Sequence, residues 1–159
     1  MPNLPDINVN VWISYYPPGN SSPGYHWAFK IDHQPEAPSD GVTLSTKPYA
    51  EILDSRNGKM LIANVEGPFN IHYNLMPGPE DLRFAYANIS TNMANGAIVT
   101  DQIGSTIISD TKISIQYANA HSERRTFGLI LVARHPLRAY LAICSPDPQV
   151  TNDPPPPPS

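Results

Sequence analysis

Five histidines, one cysteine and a scatter of carboxylates are the groups in this chain that could ligate a metal or move a proton. His26, His33, His72, His121 and His135 lie far apart, without the short ligand spacings of a zinc site. His26 and His72 would come together only if their strands were neighbours. Cys144 with a distant histidine matches the bare inventory of a thiol protease, but it ends an apolar run in which a thiolate is disfavoured. It therefore reads as a small buried hydrophobe. Glu80-Asp81 and the Glu51 and Asp54 pair read as solvated or capping carboxylates. A glycosidase needs two such groups facing across a cleft, which sequence spacing does not test. The chain has no phosphate loop, dinucleotide glycine fingerprint, G-x-S-x-G elbow or paired-histidine zinc helix. No catalytic residue, metal or cofactor is assigned on this basis. His121-Ser122-Glu123-Arg124-Arg125, the densest charged segment, reads as a solvated loop.

A different chemistry is carried by aromatic and amide residues. Trp12 and Tyr16 are opposite in parity to the apolar residues of their run, and His26 and Lys30 take the matching side of the next. A ring can stack on the C–H face of a sugar while neighbouring amides bond its hydroxyls. Asn20, Asn64, Asn70, His72 and Asn74 are placed to supply that polar half. The expected ligand-binding set is Trp12, Tyr16, Asn20, His26, Asn70, His72 and Asn74. One register would also set Trp12 against Lys30 as a cation–π pair. The competing reading has a second layer or subunit covering Trp12 and Tyr16, because tryptophan is mostly buried and enriched at interfaces.

The elements that must position these residues read as strands. Period-2 patterns recur between Pro, Gly and Asn breaks. Residues 8–16 place Val9, Val11, Ile13 and Tyr15 on one side; residues 25–31 place Tyr25, Trp27, Phe29 and Ile31 on one side. The two runs read as a hairpin with a long, stiff loop. Residues 32–48 read as loop with an edge strand at 42–45, and 49–54 as a strand ending near the Asn57-Gly58 turn signal. Residues 59–65 and 69–75 flank Glu66-Gly67-Pro68 and read as a tight hairpin, with Leu61, Ala63, Val65, Phe69, Ile71 and Tyr73 inward. Pro79-Glu80-Asp81 suits a helix start, yet Leu82, Phe84 and Tyr86 alternate, and the strand is preferred. Short strands follow at 97–100 and 105–108. Residues 111–117 alternate with Ile113, Ile115 and Tyr117 inward, and 127–133 and 137–144 are nearly continuous apolar runs. About nine or ten strands in two packed antiparallel sheets result, an all-β, jelly-roll-like β-sandwich.

Composition sets the outer limits. The 159 residues suit one domain, and 15% charged residues fall below the roughly 25% of an average globular chain. The surface is therefore polar rather than ionic. A net charge of −4 and a pI near 5.6 argue against a nucleic-acid partner. A lone cysteine excludes an internal disulfide framework. No run approaches the ~18 apolar residues of a membrane span, and residues 1–6 lack the pattern of a signal peptide, so the cytosol is the expected location, with non-classical release left open. The sequons at Asn20 and Asn88 are short enough to arise by chance.

Residues 1–145 read as the β-sandwich domain and 146–159 as an extended proline-rich tail, ending in five consecutive prolines and Ser159. Proline fixes φ and removes the amide donor, so this segment favours polyproline II. It reads as a terminus or self-assembly strap in preference to a signalling ligand. The leading functional expectation is a non-enzymatic, lectin-like carbohydrate-binding protein acting as a homo-oligomer. Two alternatives stand beside it. One is a self-assembling protein whose C-terminal strands and tail make subunit contacts; the other is a small β-fold enzyme with a histidine or carboxylate site.

Overall fold

The computed structural model describes residues 6–21, 23–32, 49–55, 58–65, 67–78, 80–90, 103–118, 125–145 and 149–152. Among these, eleven strands and no helix are present. They are β1 (Asp6–Tyr16), β2 (Gly24–Asp32), β3 (Tyr49–Ser55), β4 (Gly58–Asn64), β5 (Phe69–Leu75) and β6 (Arg83–Ser90). Then come β7 (Ile103–Ile108), β8 (Lys112–Tyr117), β9 (Arg125–His135), β10 (Arg138–Cys144) and β11 (Gln149–Asn152). The first sheet has the order β2-β1-β5-β8-β7. The second runs β10-β9-β11-β4-β3, with β6 also on β9. All pairings are antiparallel except β1 with β5 and β4 with β11.

Alternation explains why the sheets face each other. Ile7, Val9, Val11 and Ile13 of β1 are buried, as are Phe69, Ile71 and Tyr73 of β5 and Ile113, Ile115 and Tyr117 of β8. The pairing puts Val9 beside Tyr73, Ile71 beside Ile115 and Phe69 beside Tyr117, so the apolar residues of three strands form one continuous inner face. Leu129, Leu131, Ala133, Ile143 and Val150 of the second sheet join them in a single core. Phe69 and Tyr117 meet edge to face with centroids 5.4 Å apart, a favoured arrangement for aromatic pairs. Burial pushes the Tyr73 phenol above its ordinary range and keeps it neutral.

Several sequence expectations are corrected. The 59–65 and 69–75 runs are not a hairpin: β4 pairs β3 and β11, whereas β5 pairs β1 and β8 in the other sheet. The chain crosses between sheets there, with Val65 and Phe69 buried on either side and Gly67 at φ +79°, a conformation that suits a residue without Cβ. Tyr15 has core parity but lies at the strand end and is 45% exposed. The strand preferred over 79–89 is present as β6, but its expected regular alternation is broken by a bulge between Phe84 and Tyr86. The extra residue reverses parity, so Phe84 is buried and Tyr86 is exposed. Cys144 is exposed, because its neighbours Ile143 and Ser145 take the inner side. Residues 149–152 of the expected tail form β11, inserted between β4 and β9. The expected strands at 42–45 and 97–100, and residues 153–159, lie outside the described residues.

The two apolar C-terminal runs pair with each other as β9 and β10, and β6 lies along β9 from Gly128 to Arg134. Because β6 overlaps both β10 and β11 along β9, those two strands share the opposite edge of β9. β10 ends at Cys144 and β11 begins at Gln149, one after the other along that edge.

Candidate functional site

The even-numbered residues of β1, β2, β5 and β8 point away from the core and form the outer face of the first sheet. Register aligns them in rows. Lys30, Asn10, Asn74 and Lys112 cross four strands in one row. Asp32, Asn8, His72 and Ser114 form the next, and Asp6, Asn70 and Gln116 the third. In the opposite direction the rows are Trp12 with Ala28, Ser14 with His26, and Tyr16 with Gly24. Polar groups thus occupy one end of the face and aromatic groups the other.

Hydrogen bonds knit the polar rows. His72 Nε2 lies 3.0 Å from Asp6 Oδ1, and Asn70 Nδ2 donates to the same oxygen at 3.1 Å. His72 Nδ1 lies 2.7 Å from Ser114 Oγ, so in the neutral ring with Nε2 protonated it accepts the serine proton. Asn74 Nδ2 donates to Asn8 Oδ1 at 3.4 Å. The His72 hydrogen bond lowers the Asp6 carboxyl below its ordinary value; Asn70 and the nearby Lys112 charge add to this, while partial burial opposes it.

The Ser114–His72–Asp6 line has the order of a nucleophile, base and orienting carboxylate. Its setting differs from a hydrolytic site in one physical respect. Ser114 lies in mid-strand, paired with β5 on one side and β7 on the other. The neighbouring backbone amides serve the sheet ladders, rather than converging as oxyanion donors. The line links side chains of β8, β5 and β1 across the outer face.

The aromatic end is less embedded. Tyr16 is 45% exposed and meets the exposed His26 ring edge to face at 4.7 Å. Trp12 is half-buried. The expected Trp12–Lys30 facing pair is replaced by Trp12 opposite Ala28 and Lys30 opposite Asn10. Asn20 sits in the β1–β2 loop, its side chain donating to Pro17 O at 3.2 Å.

Of the seven residues expected from sequence, Asn70, His72 and Asn74 share the polar rows; Trp12, Tyr16 and His26 share the aromatic end of the same face. Asn20 belongs to the adjoining loop. The side chain of Asn64 lies outside the described residues. Sequence reasoning missed Asp6, Asn8, Asn10 and Ser114. Asn8 and Asn10 share the parity of Trp12, so alternation within β1 alone carried that signal. Asp6 and Ser114 join the site through pairing between strands distant in sequence.

Elsewhere, a cavity of about 370 Å³ opens between residues 75–78, Glu80, Asp81, Leu82 and Thr111. Tyr25 donates to Glu80 Oε2 beside it at 3.0 Å. None of the seven expected site residues lines this cavity. Among the described residues no group of three or more metal-binding side chains occurs, and no helix is long and apolar enough to cross a membrane.

The fold and this face define a class: an all-β protein of two mostly antiparallel sheets, one of which presents a polar and aromatic outer surface. No protein-family model matches the chain, and no curated protein matches it in sequence.

Proposed function

We propose that this chain is a non-enzymatic carbohydrate-binding protein, built as a jelly-roll-like sandwich, that takes a glycan along the outer face of its first sheet. The observation carrying this reading is the alignment of Asn10, Asn74, Asn8, His72 and Ser114 in adjacent rows, with Trp12 at their border. Neighbouring strands and alternate residues give a grid of about 5 by 7 Å. That spacing suits the hydroxyls around a hexose ring. Amides and hydroxyls both donate and accept, as sugar hydroxyls do. Trp12 offers the ring surface for stacking, and Tyr16 and His26 extend it toward the loop containing Asn20. Oligomerisation would add avidity to individually weak sugar contacts.

The test is a broad glycan array probed with the untagged protein, followed by titration of any hit against Trp12→Ala and Asn74→Ala. Both variants are expected to keep the parent far-UV spectrum and to lose at least about tenfold in affinity, equivalent to ~1.4 kcal/mol. An array without reproducible, sugar-competed hits would overturn the reading. A hit whose affinity survives both substitutions would move the site off this face.

A further inference from the structure

We infer that the cavity between the β5–β6 connection and the β7–β8 turn binds a small arylalkylamine, a primary ammonium carried on an aromatic body. The inference stands apart from the carbohydrate reading, because no residue of that outer face lines the cavity.

Main-chain hydrogen bonds hold the cavity open. Leu75 N donates to Thr111 O at 2.8 Å, and Met76 N donates to Val11 O at 2.8 Å. Leu82 N donates to Glu80 O at 2.9 Å, and Phe84 N donates to Asp110 O at 2.7 Å. The lining segment is thus tied both to β1 and to the β7–β8 turn. Ser109 closes that turn: its amide donates to Lys112 O at 2.8 Å, and its Oγ accepts from Lys112 N at 3.1 Å. The volume of about 370 Å³ lies within the roughly 300–1,000 Å³ of small-molecule sites. A frame already held at both ends leaves little ordering cost to oppose binding.

Charge selects a cation. Glu80 and Asp81 line the space, and Asp110 adjoins the lining residue Thr111. Arg83 divides its guanidinium between Asp81 and Asp110, at 3.4 Å from each. Among the described residues no cation pairs with Glu80, whose Oε2 accepts from the Tyr25 hydroxyl at 3.0 Å. Three carboxylates against one guanidinium leave the cavity with surplus negative charge. Lys112, next along the chain, stands in the outer-face row with Asn74. A carboxylate gains more from an ammonium than from a neutral hydroxyl, because charge-assisted hydrogen bonds are roughly twice as strong. Calcium takes about six to eight oxygen ligands. Here, among the described residues, no third metal-binding side chain joins the two carboxylates.

The rest of the lining selects the body of the ligand. Leu75, Met76, Pro77 and Leu82 supply apolar surface, and both leucines pack against the core. An aromatic ring laid on them is stabilised by the area it removes from water. The Met76 thioether favours a ring over an alkyl chain, since sulfur makes attractive contacts with aromatic edges. Thr111 adds a hydroxyl to the same lining. An ammonium has three donors, and the Glu80 carboxylate and the Thr111 hydroxyl are acceptors for two of them.

The test titrates the isotope-labelled full-length chain with phenethylamine, its neutral counterpart phenethyl alcohol, and calcium chloride, read by amide NMR spectra. Phenethylamine should give saturable shifts centred on the amides of Leu75, Met76, Gly78 and Leu82. Phenethyl alcohol should bind at least about tenfold more weakly, and calcium should leave these amides unmoved. Glu80→Gln keeps an acceptor for Tyr25 while removing the charge. It should weaken the amine at least about tenfold and leave the alcohol unchanged. Thr111→Trp, which fills the space from the exposed turn, should abolish binding of both while the amide spectrum away from the cavity stays that of the parent. The proposal is overturned if phenethylamine gives no saturable shifts, or shifts centred elsewhere. Equal affinity for amine and alcohol would overturn it too, as would calcium saturating the cavity amides. A Glu80→Gln loss shared equally by both probes would assign Glu80 to the fold alone and overturn the charge pairing.

Discussion

Asp6 is the outer-face residue whose ionisation its neighbours change. Its carboxylate accepts from His72 and Asn70, and the His72 bond is the chief cause of its lowered proton affinity. A carboxyl with a depressed folded value stabilises the fold above its unfolded value, here 3.8, and that contribution is lost as pH falls through the lower folded value. The carboxylate is 49% exposed, so the contribution is small and solvent-screened. Asp6→Asn is expected to flatten the fall of melting temperature as pH drops below the ordinary carboxyl value of 3.8, without altering the neutral-pH spectrum. Parallel acid limbs for parent and variant would mean that the Asp6–His72 contact carries no stability. Alternation alone places His72 on the outer face; the partners that fix its ring orientation come from strands 42 and 66 residues away in sequence.

At the scale of elements, the junction of β10 and β11 shows how a strand survives interruption. Register continues past Cys144, paired with Val132, and resumes at Gln149, paired with Gly128, with one extra residue on the β10–β11 side. The sequence between the two strands holds prolines at 146 and 148, a residue type without the amide that a ladder needs. Ser145 fills the break at its first residue. Its amide donates to Leu131 O at 2.8 Å, and its hydroxyl accepts from Leu131 N at 2.9 Å in place of a backbone carbonyl. Ser145 is only 5% exposed, so removing the hydroxyl leaves a buried donor without its partner. Ser145→Ala is expected to cost about 1–3 kcal/mol in urea unfolding. A loss under about 0.5 kcal/mol would mean that water replaces the hydroxyl, which calls for a more open junction than this one. The Ser-Pro-Asp-Pro run marks a break in sequence. Only the pairing reveals that the chain re-enters the sheet beyond it.

For the whole molecule, the two sheets share one core, in which Ile115 has no exposed surface. Truncation there opens a cavity in the shared core. Ile115→Ala is expected to cost about 2–5 kcal/mol. It should leave a single cooperative transition, coincident by circular dichroism and tyrosine fluorescence. Separate transitions would mean that the sheets unfold independently. At this scale too, the expected 59–75 hairpin fails. Both segments are strands, and β5 alternates as expected, but a hairpin and a crossing between sheets impose the same parity on the flanking residues. The choice falls to partners elsewhere: β1 and β8 for one strand, β3 and β11 for the other.

By itself the sequence determined what a period of two can encode. It specified strands in nearly every described segment and the buried sides of β1, β5 and β8. It also set the shared outer parity of Trp12, Tyr16 and His26, and that of Asn70, His72 and Asn74. Side-chain direction in a strand is a local property, set by the pleat. Tertiary structure alone decided which strands are neighbours. It set β5 parallel to β1, sent β4 to the other sheet, drew Gln149–Asn152 into the second sheet, and turned Cys144 outward. It thereby brought Asp6, His72 and Ser114 into one hydrogen-bonded line. Such pairings are chosen by the total burial and hydrogen bonding of the whole chain, a sum to which no local window of residues has access.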